Sequence, residues 1–239
     1  MMKLGRGACV TAAAVMMAMP ISAQGLQATL AKMDAASKTF RSAQADFQWD
    51  NYERVVHDTT TDKGQIFFER EGTKTDVGAV LNGPDGKPKQ VIAFSGDVLE
   101  SYTPGVGQMQ VFHAGANSSE YQGFLTLGMG GSGSDLQQKW TVADGGPETL
   151  TIAGTKIATE KLNLVPKDPG MAKSFKNVVM WVDTSRGIGV KQIFYTASGD
   201  YRTTTYSNIR LNSRIDKGKY GIAGDNKVKT AKGTQVFQH

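Results

Sequence analysis

Residues 178–211, VVMWVDTSRGIGVKQIFYTASGDYRTTTYSNIRL, constrain the fold more than any other stretch of the chain. Three extended runs, 178–183, 188–195 and 201–211, are rich in β-branched and aromatic residues. The short segments TSRG and ASGD between them carry Gly with Ser, Thr or Asp, the chemistry of tight turns. Tight turns join antiparallel strands, because a parallel pair needs a crossover of a dozen or more residues. The last third of the chain is therefore predicted to be an antiparallel meander with two faces to cover.

Upstream the same grammar repeats. Residues 43–52 alternate cleanly, with Ala43, Ala45, Phe47 and Trp49 on one pleat and Gln44, Asp46, Gln48 and Asp50 on the other. A polar connection at 57–62 leads to a second strand over 63–70, where Ile66, Phe67 and Phe68 stand in a row. Consecutive apolar residues predict that both faces are covered there. Strands follow at 74–81, 90–94, 98–102 and 108–112, punctuated by NGPDGKP, SGD and PG. Later strands are predicted at 140–143, 148–153 and 156–165, with a weak one at 219–222. Before the sheet, residues 25–40 place Leu26, Leu30, Met33 and Phe40 near helical spacing. One segment breaks the pattern: 114–139 holds a Gly-rich run and the cluster Phe124, Leu125, Leu127 and Met129 without alternation. It reads as a short apolar helix or turn, a hinge, and a second short helix capped by Ser134 or Asp135.

Both ends of the chain differ from the middle. Lys3 and Arg6 precede the apolar stretch 8–19, and Ile21-Ser22-Ala23 offers a small-residue cleavage site. Residues 1–23 therefore read as a cleaved signal peptide, and 24–239 as a single exported domain. The one cysteine, Cys9, lies inside the leader, so the processed domain has neither disulfide nor thiol chemistry. Loss of Lys3 and Arg6 lowers the formal charge from +5 to +3, too mild a balance to argue for nucleic acid. From about residue 225 the tail is polar and is expected to be loosely held.

Little in the sequence points to catalysis. The run LGMGGSG is not followed by Gly-Lys-Ser or Gly-Lys-Thr and sits among antiparallel strands, against a phosphate loop. His57, His113 and His239 stand far apart, with no HExxH, and no GxSxG occurs. No catalytic residue, cofactor or metal is expected, and the chain reads as a binding protein rather than an enzyme.

A single antiparallel sheet of about ten strands with few helices must close or curl and be covered. The predicted fold is mainly β: one curled antiparallel sheet forming an incomplete, half-open β-barrel with an N-terminal helix and short lid helices. Its cover is thin, which favours an apolar hollow. The proposed wall is Phe47, Trp49, Phe68, Phe94, Tyr102 and Trp181, and the proposed lid is Phe124, Leu125 and Leu127.

The order of features resembles the periplasmic outer-membrane lipoprotein carrier (LolA-like) family over almost the whole processed chain. The resemblance is carried by LQATLAKMDAASKTFRSAQADFQW, GQIFFER, VIAFSGDVLESYTPGVGQMQVF, FLTLGMGGSGSDL, LNLVPKD and the meander at 178–212. It implies a periplasmic, monomeric carrier that takes the acyl chains of lipoproteins, or a related lipid, toward the outer membrane. The implied partners are an inner-membrane lipoprotein-releasing transporter and an outer-membrane acceptor. The family's lid-latching Arg matches Arg70, but Glu71 stands where the family often has Pro. The alternative is a periplasmic sensor or regulatory module of the same fold that recognises lipid or a partner protein.

Overall fold

Two meanders meet at one seam in the computed structural model, which describes residues 21–115 and 126–239, with side chains from Gly25 onward. The first meander runs β1 (Ser42–Glu53), β2 (Asp58–Glu71), β3 (Lys74–Asn82), β4 (Pro88–Ser95), β5 (Val98–Thr103) and β6 (Gln108–His113). The second runs β7 (Trp140–Ile152), β8 (Thr155–Pro166), β9 (Asn177–Asp183), β10 (Ile188–Tyr195) and β11 (Tyr201–Leu211). At the seam β1 pairs antiparallel with β11, Phe47 opposite Tyr206 and Trp49 opposite Thr204. A last strand, β12 (Gln235–Gln238), adds to β6 in parallel. The strand order is β12-β6-β5-β4-β3-β2-β1-β11-β10-β9-β8-β7, and its two ends do not pair. The sheet is curled but open, the half-barrel expected from the sequence.

The helices are few. α1 (Ile21–Thr39) precedes the sheet, and α2 (Gly133–Lys139) and α3 (Pro169–Ser174) fill connections. The cap of α2 is Ser132, whose side chain accepts from the Asp135 N–H, rather than the expected Ser134 or Asp135. β7 is one strand where two were expected, because a bulge at 144–146 keeps it paired with β8 throughout. There the Asp144 carboxylate accepts the Gly146 N–H at 2.8 Å. The weak strand expected at 219–222 is a 3₁₀ turn, Lys217–Tyr220, followed by a bridge between Ile222 and Val228. Beyond residue 225, where a loose end was expected, the exposed strand β12 forms. No helix of the described residues is long and apolar enough to cross a membrane.

The two pleats of the sheet are covered by different parts of the chain. On the inner pleat, facing α1, Leu30, Met33 and Leu136 pack on Leu162, Leu164, Val178, Met180 and Val182 of the second meander. The inner pleat of the first meander carries a separate aromatic cluster of Phe47, Phe68 and Phe94, joined across the seam by Tyr206 of β11 and met by Phe40 and Met129. On the outer pleat, Phe67, Val80, Val91, Tyr102 and Met109 are covered by Tyr220, Ile222 and Val228. Phe67 and Phe68 are thus neighbours buried on opposite sides, as their consecutive apolar run predicted.

Candidate functional site

The inner pleat of the first meander is built by strict alternation. Ala43, Ala45, Phe47 and Trp49 of β1 share it with Ile66 and Phe68 of β2, Val77, Ala79 and Leu81 of β3 and Phe94 of β4. Three predicted wall residues, Phe47, Phe68 and Phe94, are fully packed in one cluster, and Trp49 leans on its edge with its ring 4.6 Å from that of Phe47. The Arg202 guanidinium lies 5.0 Å from the centre of the Trp49 ring, with Nε donating to Asn51 Oδ1 at 2.6 Å.

Two predicted wall residues are corrected by the structure. Tyr102 lies on the outer pleat, where its hydroxyl accepts the Ala231 N–H at 3.3 Å and helps hold the C-terminal segment. Trp181 also faces away from Met180 and Val182, donating from Nε1 to Glu148 Oε2 at 2.8 Å under the ammonium of Lys191. Apolar alternation marks a residue as belonging to one side of a strand, but not which side the hollow occupies. Of the predicted lid, Phe124 and Leu125 lie outside the described residues. Leu127 is buried, but against the second meander with Met33 and Leu136.

Arg70 occupies the position on which the site turns. It sits on the inner pleat near the end of β2, half-buried, two residues beyond Phe68. Nη1 donates to the Ser37 carbonyl of α1 at 2.9 Å, and Nη2 donates to the Gly130 carbonyl at 2.5 Å. The guanidinium also stands 5.1 Å over the Phe40 ring. Burial lowers its pKa from the ordinary guanidinium value, and Asp135 partly opposes that shift. Hydrogen bonds from a charged donor are worth about 1.5–3 kcal/mol each, so this one side chain ties β2 firmly to both α1 and the turn at 126–130.

That turn belongs to the other side of the molecule. The Gly128 carbonyl accepts from the Gly189 N–H at 2.7 Å, and the Gln192 amide donates to the Leu127 carbonyl, both from β10. Gly130 has a positive φ of 81°, and a Cβ there would overlap the Phe40 ring. The Gly-rich run therefore serves close approach at this position, where a hinge was expected. Met129, between these glycines, drops onto the aromatic cluster.

Beside Arg70 a cavity of about 200 Å³ opens, bordered by Thr73, Thr75, Leu127, Leu136 and Trp140. It is smaller than the roughly 300–1,000 Å³ of usual small-molecule sites. Sequence reasoning missed Phe40 and Met129 as the cover of the aromatic cluster. It also missed Asn212, which accepts the Arg41 N–H at 2.8 Å and donates to the Thr39 carbonyl at 3.1 Å, pinning the end of α1 to β11. The only sequence signal for these was their place at element ends. Among the described residues no group of three or more His, Cys, Asp or Glu is placed to hold a metal.

The curled, open single sheet with a helix and a turn over its inner face has counterparts among solved structures. An uncharacterized conserved protein of Thermus thermophilus superposes with a TM-score of 0.51 at 8% identity, covering 89% of this chain and 98% of that one. MucB, known from Pseudomonas aeruginosa, gives 0.50 at 14% identity over 88% of this chain and 66% of its own. A LolA superfamily protein of Nitrosomonas europaea superposes more loosely, with a TM-score of 0.38 at 16% identity over 81% and 96%. At these identities the likeness is one of fold. No protein-family model matches the sequence, and no curated protein matches it either.

Proposed function

We propose that the protein is a periplasmic carrier for the acyl chains of lipoproteins or a related lipid, held on the inner pleat of the first meander. The observation that carries this reading is the Arg70 clasp. One charged side chain joins β2 to α1 and to the 126–130 turn directly beside a buried aromatic face. The clasped form holds only about 200 Å³ of free space beside Arg70, so the ligand enters when the clasp releases. Withdrawal of Met129 and Phe40 would then bare Phe47, Ile66, Phe68 and Phe94 as one apolar wall.

The magnitudes suit a carrier. An acyl chain gains about 0.8 kcal/mol per buried methylene, so a long chain gains on the order of 10 kcal/mol. Closing costs and clasp energy subtract from that gain and set the net affinity at a level that permits handover. In this reading an inner-membrane lipoprotein-releasing transporter supplies the cargo and an outer-membrane acceptor receives it. The protein acts as a monomer, exported by a signal peptide, without catalysis. The test is binding of an environment-sensitive apolar dye and mass spectrometry of co-purified lipid. Arg70→Leu is expected to raise dye binding severalfold; no dye binding by either form, and no bound lipid, would sink the carrier reading.

A second reading has its own support. MucB shares the fold, and it has been solved in complex with MucA. A sensor that binds a partner protein would need no large cavity, which suits the small free volume here. Cross-linked partners identified from intact cells discriminate: acylated lipoproteins favour transport, and a membrane-bound regulator favours sensing.

A further inference from the structure

Arg70 carries a charge that no described carboxylate neutralises. It is half-buried, burial works against its charged form, and both its hydrogen bonds to described residues end on neutral carbonyls, those of Ser37 and Gly130. The ion pairs among the described residues join Lys87, Lys89, Lys161, Arg186 and Lys217 to acids, and Arg70 is in none of them. Asp135 acts on it through space without pairing. Taking a charge partly out of water without a counter-ion is costly. A guanidinium has five N–H donors, and these carbonyls use two.

The cavity beside Arg70 has the border that an anion needs. Among the described residues it carries two cations, Arg70 and Lys139, against one acid, Asp135, with Thr73 adding a hydroxyl. Lys139, at the end of α2, is exposed and likewise belongs to none of the ion pairs. At about 200 Å³ the space is below that of usual small-molecule sites, so it suits a headgroup rather than a whole ligand. Phe68 lies two residues away on the same pleat of β2, about 7 Å along the strand. A group seated at Arg70 therefore starts its acyl chain at the aromatic wall.

We propose that this cavity seats an oxyanion, the phosphate or carboxylate group of the ligand, and that this group draws Arg70 off the Ser37 and Gly130 carbonyls. The inference rests on the carrier reading and narrows its ligand to an anionic amphiphile. A phosphate or carboxylate accepts two parallel N–H bonds from one guanidinium, a geometry that two carbonyls on separate segments do not offer. As Nη2 turns from Gly130, the 126–130 turn loses its tie to β2, and Met129 moves with it. An uncharged ligand has no such exchange to make. The clasp therefore selects ligands by charge before the aromatic wall is bared.

Decyl phosphate and decanol share a chain and differ in charge, so their displacement of a bound apolar dye from the purified protein tests this. Decyl phosphate is expected to act at roughly tenfold lower concentration than decanol. That ratio is expected to fall severalfold in Lys139→Gln and to near one in Arg70→Leu, with Arg70→Gln in its place if Arg70→Leu does not fold. A ratio cancels any change in overall dye affinity, so a looser clasp does not obscure it. Inorganic phosphate separates the two sources of an oxyanion. If it raises the melting temperature as far as decyl phosphate does, and only while Arg70 is present, the occupant is a free anion; a rise with decyl phosphate alone identifies a headgroup. Equal displacement by decyl phosphate and decanol, or a ratio that survives the loss of Arg70, overturns the proposal and leaves the carrier reading standing. If no dye binds, melting shifts with decyl phosphate against decanol in the same variants test the anion seat by itself.

Discussion

The two meanders are made alike and finished differently. In the second, the inner pleat is packed along its length by α1 and α2, with Leu162, Leu164, Val178 and Met180 wholly buried beneath them. In the first, among the described residues no helix lies on the aromatic inner pleat; Phe40 and Met129 reach over from the α1 side and Arg70 clasps them. The outer pleat of the first meander is instead sealed by the C-terminal segment through Tyr220, Ile222 and Val228. One arm is covered by an interdigitated core and the other by a few side chains held through polar bonds. A cover held by few contacts opens at lower cost than a packed core.

This contrast is breakable by substitution. The largest effect is expected from Leu162→Ala under α1, which should lose about 3–5 kcal/mol in urea unfolding while leaving dye binding by the first meander unchanged. Ile222→Ala, on the outer seal, should cost about 2–4 kcal/mol and test whether the C-terminal segment is integral to the fold. Arg70→Leu should cost about 2–3 kcal/mol, less than a core deletion, yet change ligand access most. If it leaves both stability and dye binding unchanged, the clasp has no function and the two arms are equivalent. Gly130→Ala should cost about 1–3 kcal/mol through its left-handed backbone and its contact with Phe40.

The smallest effect concerns pH and belongs to the packed arm. At the β9–β10 turn, burial pushes the Asp183 carboxyl up. Hydrogen bonds from Ser185 and Arg186 outweigh this and hold it below the ordinary carboxylate range. A lowered native pKa means that the stabilisation is present above the unfolded value of about 4 and is lost as pH falls through the native value. Unfolding curves of Asp183→Asn and wild type are therefore expected to differ at about pH 7 and to draw together as the pH falls below the unfolded value of about 4 and through the native one. Equal separation at high and low pH would place the effect in packing.

Much of the fold was legible along the chain. β11 and the turns TSRG and ASGD were predicted at their observed places, and β1 by its alternation. Arg70 was legible as a candidate through the motif around Phe68. Of the proposed wall residues, Phe47, Phe68 and Phe94 share one pleat, whereas Tyr102 and Trp181 lie on the other. The gap left between the predicted strands 140–143 and 148–153 is a bulge in one strand, since a short insertion can be absorbed by one strand when its partner continues.

What the sequence determined by itself was local: where strands begin and end, which residues share a pleat, and which segments turn. Those follow from backbone geometry over a few residues. Only the tertiary structure decided which pleat faces α1, that the C-terminal segment seals the other side of the first meander, and that Arg70 meets Ser37 and Gly130. Alternation has a period but no sign, so choosing the inside of a sheet takes contacts between residues far apart in the chain.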